Sequence, residues 1–398
     1  MNKHFLCKLD KQYSVSSEFS DSFCFRYTGW EILKPEIEIS DIENIVTKKS
    51  FIIEVEHKRY LPHMLFYNFM PNDGYGNWLI LHGDSSLKNQ EGRFYRFIND
   101  EEKYINFTLF EVSPISHELS FLIDKRLVDE ISLNSNNLTL PHSLSKSSIE
   151  NPSFIGHHTG QGLFTSLKSG DNYVAHFDIG IGTPYKRDKN PYIKNYNGYL
   201  FKNIKERIII LSHWDSDHYR LASWKPILAE ASWFFSLPFN VKACHIEMIR
   251  LITKKGKYRL IKNKISYSSS SLKISSMKVS GRSSNHYGLI TWLKIHDKNI
   301  LITGDTSYQA LKNELNYPKK LLKDLNVVTV PHHGDFSSQY EVPKPSGNEP
   351  KSFFSAGDHK GYKHPTKESI RAHKALKWIE INTNKIKFMN KVIEIKLV

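Results

Sequence analysis

RIIILSHWDSDHYRL, residues 207–221, runs from an apolar stretch straight into two histidines and two aspartates within six positions, 213 to 218. The apolar part, Ile208 to Leu211, reads as a short buried strand. His213, Asp215 and Asp217 follow it at i, i+2 and i+4. In an extended loop that spacing points them to one side, while His218 turns away from Asp217. The stretch therefore offers two adjacent clusters of imidazole and carboxylate. A two-metal site needs such a pair, because ions about 3.5 to 4 Å apart share one carboxylate and one hydroxide.

Outward from this motif, further candidate ligands occupy equivalent places. Asp305 follows the strand-like NILIT, His332 and His333 follow NVVTVP, and His364 follows SFFSAGDHKGYK. Between them strand-like segments (GLFTSL, YVAHFDIG, LKISSMKVS, GLITWLKI, KSFFSAG) alternate with helical stretches expected at about 220–233 and 366–379. Such alternation predicts a layered α/β domain. Sites in open α/β sheets form where loops leave the carboxyl ends of strands, so these loops are expected to converge. Alone, Asp305 reads as an N-cap for a helix starting at Ser307. Beside the histidine and aspartate cluster it reads as a bridging carboxylate.

The first 150 residues differ in texture. SFIIEVEH, GNWLILHG, YINFTLFEV and ELSFLI are aromatic and β-branched runs parted by Gly, Asn, Asp and Pro, which predicts a mostly β accessory domain over 1–150. The Ser- and Asn-rich segment 132–153 reads as the linker to a second domain over 151–398. A chain of 398 residues is long for one core. The formal net charge of +14 favours an anionic partner such as nucleic acid, a nucleotide or an acidic membrane surface. Three scattered cysteines without a CxxC pattern read as reduced thiols. No signal-like or membrane-spanning run is present, which places the expected location in the cytoplasm and away from the membrane.

SHWDSDH resembles the HxHxDH signature of the metallo-β-lactamase superfamily, in the HxDxDH form of ComEC-type hydrolase domains. GQG at 160–162, HFDIG at 176–180, SSNHYGLITWL at 283–293, LITGD at 301–305, VPHHG at 330–334 and GYKHP at 361–365 follow the same order. The resemblance covers about 153–398. It implies an αββα sandwich, with a mostly β N-terminal domain added in this chain, and two divalent cations (Mn²⁺, Mg²⁺ or Zn²⁺). The ligands it implies are His213, Asp215, Asp217, His218, Asp305 and His364, with His332 or His333 behind them or completing a metal. Asp215 stands where many members have a second histidine, a hard oxygen that tilts the preference toward Mn²⁺ or Mg²⁺. No histidine clearly matches the family's middle ligand; His245 and His286 are weak candidates and His332 a stronger one.

The expected activity is phosphodiester hydrolysis, with DNA or RNA as substrate and a nucleic-acid defence task as its setting. A bridging hydroxide oriented by Asp217 would attack phosphorus, with His332 or His333 protonating the leaving oxygen. Lys254, Lys255, Lys257, Arg259, Lys262 and Lys264 form a basic run interleaved with tyrosine, a candidate rail for a phosphate backbone. The alternatives are a small-molecule hydrolase acting on a cyclic nucleotide, lactone or thioester, and a binding module answering to a protein through residues 1–150. His157 and His158 read as strand-edge polar residues and His373 as solvent-facing.

Overall fold

The computed structural model describes residues 2–17, 20–58, 78–86, 92–98, 104–132, 149–182, 198–238, 240–261, 266–269, 271–277, 288–313, 322–357, 363–383 and 392–397. Its chain divides into two compact units, residues 1–134 with 240–251, and residues 135–239 with 252–398. Lys262, Lys264, His286 and most of the expected linker lie outside the described residues.

The first unit is a closed β-barrel. Its strands are β1 (Asn2–Ser17), β2 (Ser20–Ile32), β3 (Phe51–Lys58), β4 (Trp78–Asp84), β5 (Gly92–Arg96) and β6 (Tyr104–Pro114), in the order β1-β2-β3-β5-β6-β4. β1 pairs with both β2 and β4, which closes the cylinder and leaves no free edge. Phe5, Cys7, Tyr27, Ile53, Val55, Leu81, Phe94 and Phe107 alternate along their strands to fill it. Among its described residues this unit carries the helices α1 (Ile42–Val46) and α2 (His117–Ser132), besides the helical part of residues 240–251. ELSFLI lies in α2, not in a strand: Ser120, Ile123, Leu127 and Ile131 are buried at helical spacing, and Ser116 accepts from Leu119 N at 3.1 Å to start the helix. Asp124 of α2 meets the fully buried Lys8 of β1, with Nζ 3.0 Å from each carboxylate oxygen, and accepts from Trp78 Nε1 at 3.0 Å. Burial lowers the Lys8 pKa, and Asp124 opposes the shift. Residues 240–251 join the unit through Lys242 to Asp10 (2.7 Å), Ser50 N to Glu247 (2.7 Å) and Arg250 to Val46 O (2.6 Å).

The second unit holds two seven-stranded sheets. One has the order β12-β11-β10-β9-β8-β7-β20, from β7 (Pro152–His157), β8 (Thr165–Ser169), β9 (Asn172–Phe177), β10 (Ile208–Ile210), β11 (Ser232–Phe235), β12 (Lys257–Leu260) and β20 (Val392–Lys396). The other runs β13 to β19 in sequence order: β13 (Ser266–Ser268), β14 (Leu272–Ser276), β15 (Leu289–Ile295), β16 (Lys298–Ile302), β17 (Val327–Thr329), β18 (Lys351–Phe354) and β19 (Ile379–Asn382). Among the described residues the helices of this half of the chain are α3 (Ser216–Trp224), α4 (Ala243–Lys255), whose residues up to Leu251 belong to the first unit, α5 (Tyr308–Asn313) and α6 (Lys367–Ala375).

Alternation along the strands sorts the side chains. Ala175, Phe177, Ile208, Ile210 and Phe234 of the first sheet meet Leu289, Leu293, Ile300, Ile302 and Val327 of the second in one core. Each such side chain contributes roughly 1.5 to 3 kcal/mol on full burial. The opposite face of the second sheet, Ile290, Trp292, Leu301 and Val328, packs on Tyr308 and Leu311 of α5 and on Trp378. The second unit is thus a layered α/β sandwich of two facing sheets, and a mostly β unit precedes it in the chain.

Several local expectations change. The helix expected over 220–233 is α3 alone, followed by a 3-10 turn at Pro226–Glu230 and by β11, where Trp233 is buried. Pro226 ends the helix by disfavouring helical backbone at Lys225. His373 is buried, not solvent-facing: its Nε2 lies 3.1 Å from Tyr308 Oη and its Nδ1 donates to Ser369 O at 2.8 Å. His157 and His158 are buried as well, because β7 lies between β8 and β20 and is no edge. Cys7 and Cys244 are buried thiols and form no disulfide among the described residues. Among the described residues no helix is long and apolar enough to cross a membrane.

Candidate metal centre

Four loops at the carboxyl ends of β10, β16, β17 and β18 or just beyond them carry the candidate ligands. After β10 the chain stays extended through Asp215, then turns helical at Ser216. His213 and Asp215 face one way, with His213 Nε2 3.5 Å from Asp215 Oδ2. Trp214 turns the other way, into a pocket of Tyr219 and Phe235, and donates from Nε1 to Ser236 O at 2.7 Å. Asp217 and His218 belong to the first turn of α3, so the helix, and not an extended i+4 step, places them.

Asp305 sits at the middle. Gly304 precedes it with φ 55, and a Cβ there would lie 2.6 Å from Ser212 Oγ, so this turn admits glycine alone. Asp305 Oδ1 is 3.1 Å from His218 Nε2 and 3.9 Å from His333 Nε2, while Oδ2 is 3.6 Å from His213 Nε2 and 3.8 Å from His332 Nε2. It caps no helix; Ser307 does so for α5, through Ala310 N at 3.3 Å. Burial would raise the Asp305 pKa, but the surrounding imidazoles, His218 foremost, outweigh it and hold the carboxyl well below the usual range. For His218 burial acts downward, and Asp305 and Asp178 outweigh it, so its pKa is raised well above the ordinary value.

Two groups of three have ligand atoms within 4.8 Å of one another: His213, His218 and Asp305, and Asp217, His218 and His333. His333 Nε2 lies 3.5 Å from Asp217 Oδ2. Buried His213 Nε2, His218 Nε2, His333 Nε2 and Asp305 Oδ1 have no hydrogen-bond partner of good geometry. Leaving so many polar atoms unspent in one small volume costs about 1 to 3 kcal/mol each, unless a cation takes up their lone pairs. The residues therefore fit a divalent metal. His364 is set against His332, with ring centroids 5.6 Å apart, and burial, with His333 and His332 nearby, lowers its pKa to about 4.

A layer of supporting groups has no counterpart in the sequence-level expectations. Asp178, in the HFDIG stretch, accepts from Ser212 N (2.6 Å) and Ser212 Oγ (2.8 Å) and meets His218 Nδ1 at 2.8 Å. It thereby leaves His218 Nε2 to face the centre. Ser355 O accepts from His333 Nδ1 at 2.7 Å, and Asp335 holds His332 Nδ1 at 3.1 Å. Burial lowers the His332 pKa, but Asp305 and Asp335 prevail and bring it to about 9. The only available signal for Asp178 was a carboxylate ending a strand in a Gly-rich motif.

The basic run is not brought to this place. Lys257 is in register with Ser232, and Ser232 with Ile208, so Lys254, Lys255 and Lys257 sit toward the amino ends of parallel strands whose carboxyl ends carry the centre. Arg259, in register with Phe234 and so with Ile210, is nearer the ligand-bearing end. Lys255 lies 3.9 Å from Glu230.

No protein-family model and no curated protein matches the chain. Solved structures similar to it include the metallo-β-lactamase fold protein YhfI from Bacillus subtilis (12% identity, TM-score 0.37, 61% of this chain and 99% of that one). CmlA, a diiron β-hydroxylase from Streptomyces venezuelae, is similar at 9% identity and TM-score 0.37, over 91% of this chain and 78% of that one. A long-form RNase Z from yeast is similar at 13% identity and TM-score 0.26, over 61% and 41%. Likenesses this slight do not bear on chemistry, and the site must be read from its own geometry.

Proposed function

We propose that the chain is a metal-dependent hydrolase of phosphodiesters, with DNA or RNA as its substrate. The observation that carries this reading is the pair of overlapping ligand groups, in which the buried Nε2 atoms of His213, His218 and His333 converge on Asp305 without a hydrogen-bond partner of good geometry. His213 and Asp215 would hold one cation, Asp217, His218 and His333 a second, with Asp305 between them. Bound there, two divalent cations supply Lewis acidity and lower the pKa of water. The mixed oxygen and imidazole set suits Mn²⁺ or Zn²⁺.

The chain's own groups do the rest. Asp217 accepts a proton from the attacking water. Asp178 and Ser355 O fix the tautomers of His218 and His333. His332 is one-third exposed and held at Nδ1 by Asp335, so its Nε2 can deliver a proton to a leaving oxygen that arrives from solvent. The net charge of +14 raises the local concentration of a polyanion, and Lys254, Lys255 and Lys257 contribute to that field at a distance from the chemistry.

The test pairs metal content with cleavage. Dialysed wild-type protein should retain about two metal ions per chain and cleave labelled DNA or RNA in Mn²⁺, Mg²⁺ or Zn²⁺. Asp305→Ala should lose the metal and at least about a thousandfold in rate while keeping its circular dichroism spectrum. Metal-free wild type that cleaves nothing under any of the three ions would sink the reading.

A further inference from the structure

Three residues beyond His333, the same loop turns two aromatic rings to solvent. Phe336 is 56% exposed and Tyr340 47%, with ring centroids 6.0 Å apart at an interplanar angle of 77°. Among the described residues of the second unit no other aromatic side chain is so exposed; the other exposed large hydrophobics there are aliphatic, Ile227, Ile379 and Val392. Large aromatic surface is ordinarily the first to be buried, and rings left out in pairs beside a reactive centre are contact surface for something else.

The loop that presents them is held at both ends. Asp335 Oδ1 accepts from Ser338 N (3.1 Å) and Ser337 Oγ (2.8 Å), while its Oδ2 holds His332 Nδ1. Ser338 Oγ is buried, donating to Asp335 O at 2.7 Å and lying 2.6 Å from Ser369 Oγ of α6. Gln339 Nε2 donates to Phe336 O at 3.0 Å, and Thr366 N to Gly334 O at 2.8 Å. One carboxylate thus fixes both a site imidazole and the turn that displays Phe336. The turn that carries the rings is tied to the loop of His332. Exposed Lys363 and Lys367 flank His364 and Thr366 on the segment that docks at Gly334.

We propose that Phe336 and Tyr340 are a stacking platform for one unpaired nucleobase beside the scissile phosphate, so that the substrate is single-stranded nucleic acid; this rests on the phosphodiester reading above. A base can lie on one ring and meet the other edge-on. Stacking is indifferent to sequence because every base has a π-face, and in a duplex both faces are already covered by neighbouring bases. Lys363 and Lys367 supply the cations that flanking phosphates require.

The experiment is a cycle between protein and ligand, read by fluorescence anisotropy on the full metal-loaded chain with a phosphorothioate single-stranded DNA 12-mer. Single abasic sites are placed at each position in turn. At one position, loss of the base should weaken binding to wild type by about five- to about 140-fold. Phe336→Ala should lose a similar factor on the intact strand and no further factor on that abasic strand, whereas Phe336→Trp should keep wild-type affinity. The blunt-ended duplex should bind at least about tenfold more weakly. Additive losses, an unaltered Phe336→Ala, or duplex binding as tight as single-strand binding would overturn the platform. Coupling without cleavage of the unmodified strand would uphold the platform and remove the hydrolase reading; cleavage without coupling would do the reverse.

Discussion

Asp178, His332 and His333 all hang from left-handed backbone, at φ 51, 47 and 56, a region that costs an L-residue about 1 to 2 kcal/mol. Two such residues in succession persist only where the surroundings over-determine them, and here both imidazoles are turned toward Asp305. The strain predicts an inverted ranking of substitutions. His332→Gly should be more stable than His332→Ala by about 1 kcal/mol, the reverse of the order in a helix. Urea unfolding of the two variants measures this directly, and an alanine variant as stable as the glycine one would deny the left-handed backbone. Both should lose turnover. At this scale the convergence of His213, Asp217, His218 and Asp305 was legible in the sequence, because histidines and aspartates packed so densely after a strand have few other uses. Asp178 and Asp335 were not, since a supporting carboxylate is recognised by the imidazole it meets. Asp178 lies 40 positions from the His218 it orients.

Elements bring these side chains within reach by packing backbone on backbone. Leu163 N donates to Asp217 O at 3.1 Å and Ile179 N to His218 O at 2.8 Å, which pins the first turn of α3 to the loops after β7 and β9. Gly180 makes the approach feasible: a Cβ at that position would sit 1.6 Å from Asp217 O. Gly180→Ala should therefore push α3 away, cost at least about 3 kcal/mol in a denaturant melt and abolish metal retention. A variant that melts with wild type and keeps its metal would show that α3 does not pack there. The strands of the second half could be read as short apolar runs, as at Leu289–Ile295, where Leu289 and Leu293 enter one core and Ile290 and Trp292 the other. ELSFLI misled because six residues cannot separate a period of two from one of 3.6, and only the continuation through Leu127 and Ile131 shows the helix.

For the molecule as a whole, buried histidines set the response to acid. His373 is pushed down to about 4 and His157 to about 3, chiefly by burial. Both are neutral when folded, whereas the unfolded chain binds their protons near 6.5. Their stabilising effect is complete above 6.5 and drains as pH falls toward 4, by about 2 kcal/mol each between pH 7.5 and 5. Comparing urea midpoints at these two pH values, His373→Gln should show a pH difference smaller by about 2 kcal/mol, and an unchanged difference would mean that His373 is protonated in the native state. Composition pointed to a mostly β first part, but not to its closure into a barrel or to the return of residues 240–251 to the first unit between β11 and β12. No local pattern announces such a return, because Lys242, Glu247 and Arg250 look like any solvated helix face until their partners Asp10, Ser50 and Val46 are known. That return has a consequence for descent. A gene segment encoding residues 1–134 is a poor cassette to gain, lose or exchange, because the helical residues from Ala243 to Leu251, encoded well downstream, would be left without their seat; the two units are expected to be inherited, and to drift, together.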